Sequence, residues 1–216
     1  MRGIAKGGEP QSLTTHRQAN PTDYESYSDK DSLRNALLLE QRGLCCYCMN
    51  RIRNEHKNMK VEHWRSQEGF PNERLRYANL LGACRGGEGQ PPNLQHCDTR
   101  KGSSSLLWNP AEPAHQIEAR IWYESDGTIK SDDAAFDLEL NNVLNLNLPV
   151  MKNNRKGVLD GILQWWNREK SRIQGPVPRA RLLRERDKRV THTGELAPYC
   201  QVVWWWLTQR LAKTSV

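Results

Sequence analysis

Four cysteines in the first half of the chain have the residue type and spacing of a metal site. Cys45 and Cys48 form a C-x-x-C pair, a spacing that lets two thiolates hold one tetrahedral ion from a tight turn. Cys84 and Cys97 follow downstream and could complete a set of four ligands. Thiolates favour Zn²⁺ over Mg²⁺ or Ca²⁺. The sequence therefore predicts one structural zinc ion bound by these four residues.

The second pair of cysteines leaves the ligand set open. Cys84 and Cys97 are separated by a long loop instead of two residues, so His96 could replace one of the thiolates. His56 is a more remote substitute. The simpler alternative is that the cysteines are reduced, buried thiols that pack as small apolar side chains. A C-x-x-C pair with two further cysteines in one compact region favours zinc.

A second group of polar residues alternates with the cysteines along the chain. They are Glu62, His63, Asn79 and Asp98. Each has a simple structural explanation on its own, because acid–histidine pairs are common on strand surfaces, asparagines in turns and aspartates at helix caps. Their joint order, interleaved with candidate zinc ligands, favours a shared task.

This order resembles that of the HNH endonuclease family: an acid–histidine pair, an Asn-Leu near a cysteine, and a Cys-Asp with a lysine three residues past the aspartate. The greatest similarity is to the nuclease subunit of Septu anti-phage systems, which also occurs beside certain retrons. The segments that carry it are "MRGIAKGGEP", "CCYC", "VEHWRS" and "HCDTRKG". By motif, the resemblance covers most of residues 1–110, and "VLNLN" and "NNRKGVLDGIL" fit more loosely.

The resemblance implies a ββα-metal fold, in which two short strands and a helix surround one divalent ion. Phosphodiester hydrolysis needs a base that deprotonates water and a cation that absorbs charge on the phosphate. By resemblance, His63 is the general base, and Glu62 and Asp98 hold Mg²⁺ or Mn²⁺, both of which prefer carboxylate oxygen. The sequence departs from the family at both metal positions, where Asp is usual before the histidine and Asn or His is often the final ligand.

The remaining family positions have supporting roles by the same resemblance. Asn79 braces the loop between the strands through backbone contacts and helps to aim the histidine. Arg100 and Lys101, at the start of the following helix, are placed to meet phosphate. The zinc ion fixes the two ends of a motif that has little core of its own.

The resemblance also implies partners and a biological setting. Nucleases of this kind act in anti-phage defence with an ABC/SMC-like ATPase subunit that is encoded alongside and gates them. The expected substrate is nucleic acid, DNA most often, with tRNA or other RNA left open. Two alternatives remain: a non-catalytic zinc-knuckle module that binds nucleic acid, and a scaffold subunit with a decayed nuclease core.

Composition agrees with a polyanionic partner. The 216 residues carry a net charge of +7, with a sequence pI near 9.2, and a positive balance raises encounter rates with nucleic acid. Mean hydropathy is −0.84. No apolar run approaches the ~20 residues that span a bilayer. We therefore expect a cytoplasmic protein with no membrane partner.

The elements that must position these residues indicate an α+β fold with three regions. We expect an irregular N-terminal arm over residues 1–30, a zinc-containing ββα-metal core over residues 31–110, and a hairpin plus a mostly helical lobe over residues 111–216. The arm has scattered Gly, Pro and Ser, and an Asp-Gly turn marks the hairpin. The stretch "IQGPVPRARLLRERDKRV" is expected to be a basic connector to a final amphipathic helix. Its charge run "RARLLRERDKR" could be a solvated helix face or a surface that contacts the ATPase or nucleic acid.

The tryptophan clusters of the second half allow two interpretations. They are Trp165–Trp166 and Trp204–Trp205–Trp206. Consecutive side chains on a helix differ by about 100° in direction, so they cannot all face the core. In the first, most of them pack in the core of a helical lobe. In the second, at least one is exposed and contacts nucleic acid or a partner.

Overall fold

The computed structural model describes residues 1–55, 58–190 and 194–213. His56, the remote candidate zinc ligand, lies outside them. The fold is α+β, with small antiparallel sheets among helices. The strands are β1 (Met59–His63), β2 (Leu80–Cys84), β3 (Ile121–Tyr123) and β4 (Ile129–Ser131). The helices are α1 (Gln11–Ala19), α2 (Lys30–Gln41), α3 (Cys97–Lys101), α4 (Ile117–Arg120), α5 (Ala134–Leu138), α6 (Pro149–Arg172), α7 (Arg179–Val190) and α8 (Cys200–Lys213).

The first sheet pairs β1 with β2 and carries the residues of interest. Its antiparallel register sets Glu62 opposite Leu81 and Met59 opposite Cys84. Because side chains alternate along a strand, Glu62 and His63 leave β1 towards different faces. Since His63 is the last residue of β1, its ring lies at the end of the sheet.

Helix α2 leads into the first cysteine turn. The side chain of Asp29 accepts a hydrogen bond from the backbone N–H of Ser32 and caps the helix. Buried Gln41 then bridges two elements, because its amide nitrogen donates to the carbonyls of Leu44 and Gly82 at 2.7 and 2.8 Å. The cysteine turn is thereby held against β2.

The second sheet is the expected hairpin, in which β3 pairs with β4 across an Asp126-Gly127 turn. Gly127 has a positive φ of 86°, and a Cβ there would lie 2.1 Å from the carbonyl oxygen of Lys152 in α6. Buried Arg155 of α6 donates to the Gly127 carbonyl at 2.6 Å. Glycine is therefore required where the hairpin docks on α6.

One large core joins the first and second halves of the chain. Its buried residues include Cys45 and Leu81 from the first half and Leu159 and Leu207 from the second. Packing therefore continues across the expected boundary near residue 110. A smaller core, beside β2, contains residues of α1, α2 and the segment between them.

Two segments are more helical than the sequence indicated. The N-terminal arm contains α1, and Leu13 and Tyr27 of this arm are buried in the smaller core. The expected basic connector contains α7, in which Leu182 is fully buried. Both helices have mostly polar sequences, so the few apolar side chains that dock them did not form a recognisable helical pattern.

Within the described residues, no helix is both long enough and apolar enough to cross a membrane.

Trp206 of α8 is buried and packs edge-on against Trp166 with ring centroids 5.7 Å apart. Trp205 packs edge-on against Tyr123 at 5.5 Å. Part of the tryptophan-rich surface therefore fastens α8 to α6 and to the hairpin.

Candidate metal centre and the adjoining carboxyl–histidine cavity

The structure brings the four predicted cysteines together. The sulfur atoms of Cys45, Cys48, Cys84 and Cys97 all lie within 4.8 Å of one another, and all four residues are buried. The Cys45–Cys97 and Cys48–Cys84 sulfur separations are 3.9 and 3.7 Å. Four thiolates on a tetrahedral Zn²⁺ at ~2.3 Å would have sulfur atoms about 3.8 Å apart. The cluster could therefore hold a zinc ion with little rearrangement.

The surroundings of the cluster also fit a metal. The backbone N–H of Asn50 donates to the Cys48 sulfur at 3.4 Å, so the turn itself supports a thiolate. Burial and the neighbouring thiols raise the pKa of Cys97 well above its ordinary value. Several thiolates cannot stay ionised together in an apolar interior unless a cation compensates them.

His96 lies beside the cluster rather than within the group of four. Its Nδ1 is 3.2 Å from the Cys97 sulfur, and the four cysteines make a complete tetrahedral set without it. The ring is placed to hydrogen-bond a ligand thiolate, the kind of outer contact that orients metal ligands.

The cysteine cluster fixes the elements that carry the acidic residues. Cys84 ends β2, and Cys97 begins α3, so Asp98 is the second residue of a helix that starts at a candidate zinc ligand. Gly102 ends α3 at φ 52° and ψ −130°, a conformation that favours glycine. The position of Asp98 therefore depends on the cluster.

Glu62 is buried and has both a cation and a neutral donor. Its Oε1 accepts hydrogen bonds from the Tyr47 hydroxyl at 2.7 Å and from the Lys101 ammonium at 2.9 Å. Burial and the Asp98 carboxyl raise the pKa of Glu62 well above its ordinary value, and Lys101 opposes this shift. Both carboxyls line the cavity described below, so each is part of the other's electrostatic environment.

Asp98 has its own lysine partner. The Nζ of Lys60 lies 3.5 Å from an Asp98 carboxylate oxygen and donates to the Thr99 hydroxyl at 3.1 Å. Lys60 precedes Glu62 by two residues, so both side chains leave the same face of β1. That face carries α3.

His63 is held in one orientation. Its Nε2–H donates to the carbonyl of Arg74 at 3.0 Å, and its ring packs edge-on against Tyr24 with centroids 4.6 Å apart. In the neutral ring, Nδ1 is then the unprotonated nitrogen. Burial lowers the pKa of His63 to about 4, so the ring is neutral at neutral pH.

Asn79 ties together the loop between β1 and β2. Its Oδ1 accepts from the Arg65 backbone N–H at 2.7 Å, and its Nδ2 donates to the carbonyls of Arg65 and Glu73 at 3.0 and 3.1 Å. Its own carbonyl accepts from the Trp64 backbone N–H at 3.0 Å. These contacts fix the backbone next to His63 and next to the carbonyl that His63 contacts.

A cavity of about 340 Å³ lies between β1 and α3, and we name it the β1–α3 cavity. The residues of interest that line it are Glu62, His63, Asp98 and Lys101. Lys101 does not lie on the surface, where a phosphate contact was expected, but is almost fully buried against Glu62. Arg100 is exposed and donates to the carbonyl of Pro92 at 3.1 Å.

Sequence reasoning missed three residues that contact the side chains lining this cavity: Tyr47, Lys60 and Tyr24. Tyr47 lies inside "CCYC", where nothing in the sequence distinguishes a phenol that reaches Glu62 from one that packs in the core. Tyr24 belongs to the arm that was expected to be irregular. Only Lys60 offered a signal, since it is two residues from Glu62 on the same strand face.

No protein-family model matches this chain, and no curated protein is significantly similar to it. The catalytic and phosphate-binding roles of the site residues stay predictions.

Proposed function

We propose that this chain is a metal-dependent HNH endonuclease that hydrolyses phosphodiester bonds of nucleic acid. The observation that carries the proposal is the convergence of Glu62, His63 and Asp98 on one cavity beside a four-cysteine cluster. Asp98 is distant in sequence from the other two, and the order of the three matches the family motif. Two strands followed by a short helix supply them, which is also the order of elements in a ββα-metal fold.

Each of the three residues has a geometry suited to its proposed role. The Arg74 carbonyl holds the Nε2–H of His63, which leaves Nδ1 to take a proton from water as a general base. The carboxyls of Glu62 and Asp98 are the ligands for Mg²⁺ or Mn²⁺. When bound, the ion supplies positive charge at the scissile phosphate and the leaving oxygen.

The cysteine cluster would act as the structural support of this site. Bound Zn²⁺ would fix the end of β2, the start of α3 and the turn that carries Tyr47, which donates to Glu62. A small sheet and a five-residue helix have little core of their own, so metal binding would contribute directly to their folding.

The partner and setting follow from the family resemblance. We propose that the chain acts in the cytoplasm as the effector of an anti-phage complex with an ABC/SMC-like ATPase subunit. DNA is the first substrate to test and tRNA the second. Arg100, exposed and adjacent to the cavity-lining Lys101, remains a candidate phosphate contact.

One observation favours a non-catalytic scaffold as the second candidate. The Lys101 ammonium lies 2.9 Å from Glu62, so this carboxylate is compensated by a protein cation. Binding of a divalent ion to Glu62 would require Lys101 to move or to share the carboxylate. In a decayed nuclease the lysine would keep that place permanently, and the zinc knuckle would serve only to bind nucleic acid or a partner.

The deciding experiment is a cleavage assay with Mg²⁺ or Mn²⁺ on plasmid DNA, single-stranded DNA and tRNA. The protein is tested alone and in complex with the ABC/SMC-like ATPase subunit that the proposal assigns to it. We expect His63→Gln and Asp98→Asn to lower the cleavage rate by at least about 100-fold, the order expected when a general base or a metal ligand is lost.

Glu88→Gln is the matched control, because Glu88 is a carboxylate that also pairs with Lys60 but does not line the cavity. It should keep the wild-type rate. Nuclease activity that survives in both His63→Gln and Asp98→Asn would refute the proposed catalytic roles. A folded, zinc-loaded wild type that binds its ATPase but cuts none of the substrates would favour the scaffold.

A further inference from the structure

A second concave site lies between α6 and α7, and its residues are separate from those of the β1–α3 cavity. We name it the α6–α7 groove, a cavity of about 420 Å³. Six cationic side chains line it, and they are Arg168, Arg172, Arg181, Arg184, Lys188 and Arg189. Five of the six are arginines, whose planar guanidinium groups match phosphate oxygens in two-pronged hydrogen bonds.

Both helices direct cations into this groove by the same spacing. On α6, Arg168 and Arg172 are four residues apart, and on α7, Arg184 and Lys188 are four residues apart. Residues at that spacing lie on one face of a helix. All four side chains are exposed. Two rows of like charge thus face one concavity, where their mutual repulsion is relieved when an anion enters.

The acidic residues of the groove neutralise only part of this charge. Glu169 accepts two hydrogen bonds from Arg181 at 2.7 and 3.0 Å, a bidentate pair that joins α6 to α7. Glu185 accepts from Arg189 at 2.8 Å. With two carboxylates against six cations, the lining keeps an excess of four positive charges.

The ninth lining residue is aromatic. Trp165 is half-buried and precedes Arg168 by three residues, so its indole shares the groove face of α6. An indole among guanidinium groups offers a stacking surface for an unpaired base beside contacts for its phosphates. A membrane-binding face, by contrast, needs several apolar side chains that insert into lipid, and the other lining residues are all charged.

We infer that the α6–α7 groove binds the phosphate backbone of a single nucleic-acid strand, with an unpaired base stacked on Trp165. The concave shape and the tryptophan favour an unpaired strand over a double helix, whose bases are not available for stacking. This inference does not require the chain to be a nuclease, since a scaffold could use the same groove.

The test measures binding by fluorescence anisotropy of a labelled oligothymidine of roughly 20 nucleotides, long enough to cover one site. The full chain is used with its zinc and without added Mg²⁺ or Mn²⁺, so cleavage does not interfere. The variant Arg172→Gln/Arg184→Gln removes one exposed cation from each side of the groove. Its control, Lys130→Gln/Lys156→Gln, removes the same charge from residues outside the groove lining.

We expect the groove variant to raise the Kd about tenfold at low salt, while the control stays close to wild type. The slope of log K against log salt should become less steep by about 1.4 for the groove variant, since each phosphate contact on a single strand contributes about 0.7. Thermal unfolding should not change, because both arginines are exposed.

Three results would overturn the inference. The first is an equal loss of affinity in the groove variant and the control, which would indicate diffuse charge attraction. The second is equal or stronger groove-dependent binding of a duplex of the same length. The third is groove-dependent binding of polyglutamate or phosphatidylserine vesicles without binding of the oligonucleotide. Failure of nuclease activity is measured separately and would not alter this result.

Discussion

The cysteine cluster and the β1–α3 cavity share α3 and the β1–β2 sheet but satisfy their polar groups in different ways. In the cluster, four buried sulfur atoms face one another, and two of their separations already match tetrahedral zinc. In the cavity, each carboxyl has a lysine: Glu62 contacts Lys101, and Asp98 contacts Lys60. The thiols need a metal before they can all be ionised, whereas the carboxyls are compensated by the protein.

This difference implies that a metal in the cluster would serve folding, whereas a metal in the cavity would serve activity. Zinc bound by the cluster would be part of the folded state, since the thiolates have no other way to be ionised together. A divalent ion in the cavity would instead replace or share lysine contacts, so it would bind more weakly and exchange. The comparison therefore predicts that losing a cysteine ligand unfolds the site, whereas losing the divalent ion leaves the fold intact.

The largest expected effect is that of Cys48→Ser. It removes one of four candidate zinc ligands, and structural zinc contributes about 10 kcal/mol or more to the folding of zinc-finger peptides. We expect zinc content to fall well below one equivalent and the thermal transition to shift down strongly or disappear. Metal analysis and circular dichroism measure these two changes.

The matched control for Cys48→Ser is Cys46→Ser. Cys46 is equally buried but does not belong to the cluster. It should keep its zinc and lose only the modest stability that a buried hydroxyl costs, about 1–3 kcal/mol. If Cys48→Ser retains both the zinc and the folding transition, the structural metal assignment is wrong.

The next effect is that of Lys101→Met, which keeps most of the side-chain volume and removes the ammonium. Glu62 would then lose its cation and the His63 carbonyl would lose the Lys101 donor at 2.9 Å, and breaking a buried ion pair in this way costs about 3–5 kcal/mol. Urea unfolding without added divalent metal measures the loss. The double variant Glu62→Gln/Lys101→Met removes the unpaired charge as well, so it should be more stable than Lys101→Met alone.

Added Mn²⁺ makes this test more specific. If Glu62 and Asp98 are ligands, Mn²⁺ should stabilise Lys101→Met more than wild type, because no ammonium competes for Glu62. No Mn²⁺-dependent stabilisation of either protein would argue against a divalent ion in the cavity. Wild-type stability of Lys101→Met would show that the Glu62–Lys101 pair contributes little.

The smallest effect concerns pH and His63. Burial lowers the pKa of this ring to about 4 in the folded chain, against about 6.5 when it is exposed. Between these values the unfolded chain binds more protons, so stability falls as pH falls. We expect His63 to contribute a loss of about 2 kcal/mol between about pH 6.5 and pH 4.5.

This loss is measured as the difference between wild type and His63→Gln in urea unfolding at the two pH values, without added divalent metal. Effects of acid on the cysteine cluster are common to both proteins and cancel in that difference. The free energy of unfolding should depend more steeply on pH in the wild type than in the variant. An equal pH dependence in the two proteins would show that His63 keeps an ordinary pKa and is not as buried as the structure describes.

Sequence patterns predicted the elements that are marked by local turn residues or by a regular spacing of apolar residues. The β3–β4 hairpin was expected from its Asp-Gly turn, and α8 was expected as a final amphipathic helix of a mostly helical lobe. The patterns failed for α1 and left α7 open between a connector and a solvated helix face, because both are polar helices docked by few apolar side chains such as Leu13 and Leu182. Helix α3 is only five residues long because Gly102 ends it in a conformation that other residues avoid.

In the candidate site, too, some features were predictable from local sequence and others were not. The cysteine set was predictable because C-x-x-C spacing is local and thiolate preference for zinc is a property of the residue type. The partners of Glu62 were not, since Tyr47 and Lys101 come from segments on either side of β1 and meet it only in the folded chain. The same is true of the Arg74 carbonyl that orients His63.

By itself the sequence determined the identity of the candidate ligands and their order, because residue chemistry and short spacings do not depend on folding. Only the tertiary structure decided which groups share a cavity, which carboxyl each lysine compensates and which cations gather between α6 and α7. Those outcomes depend on burial and on distances between elements remote in the chain. Long-range packing sets both, and no local pattern records them.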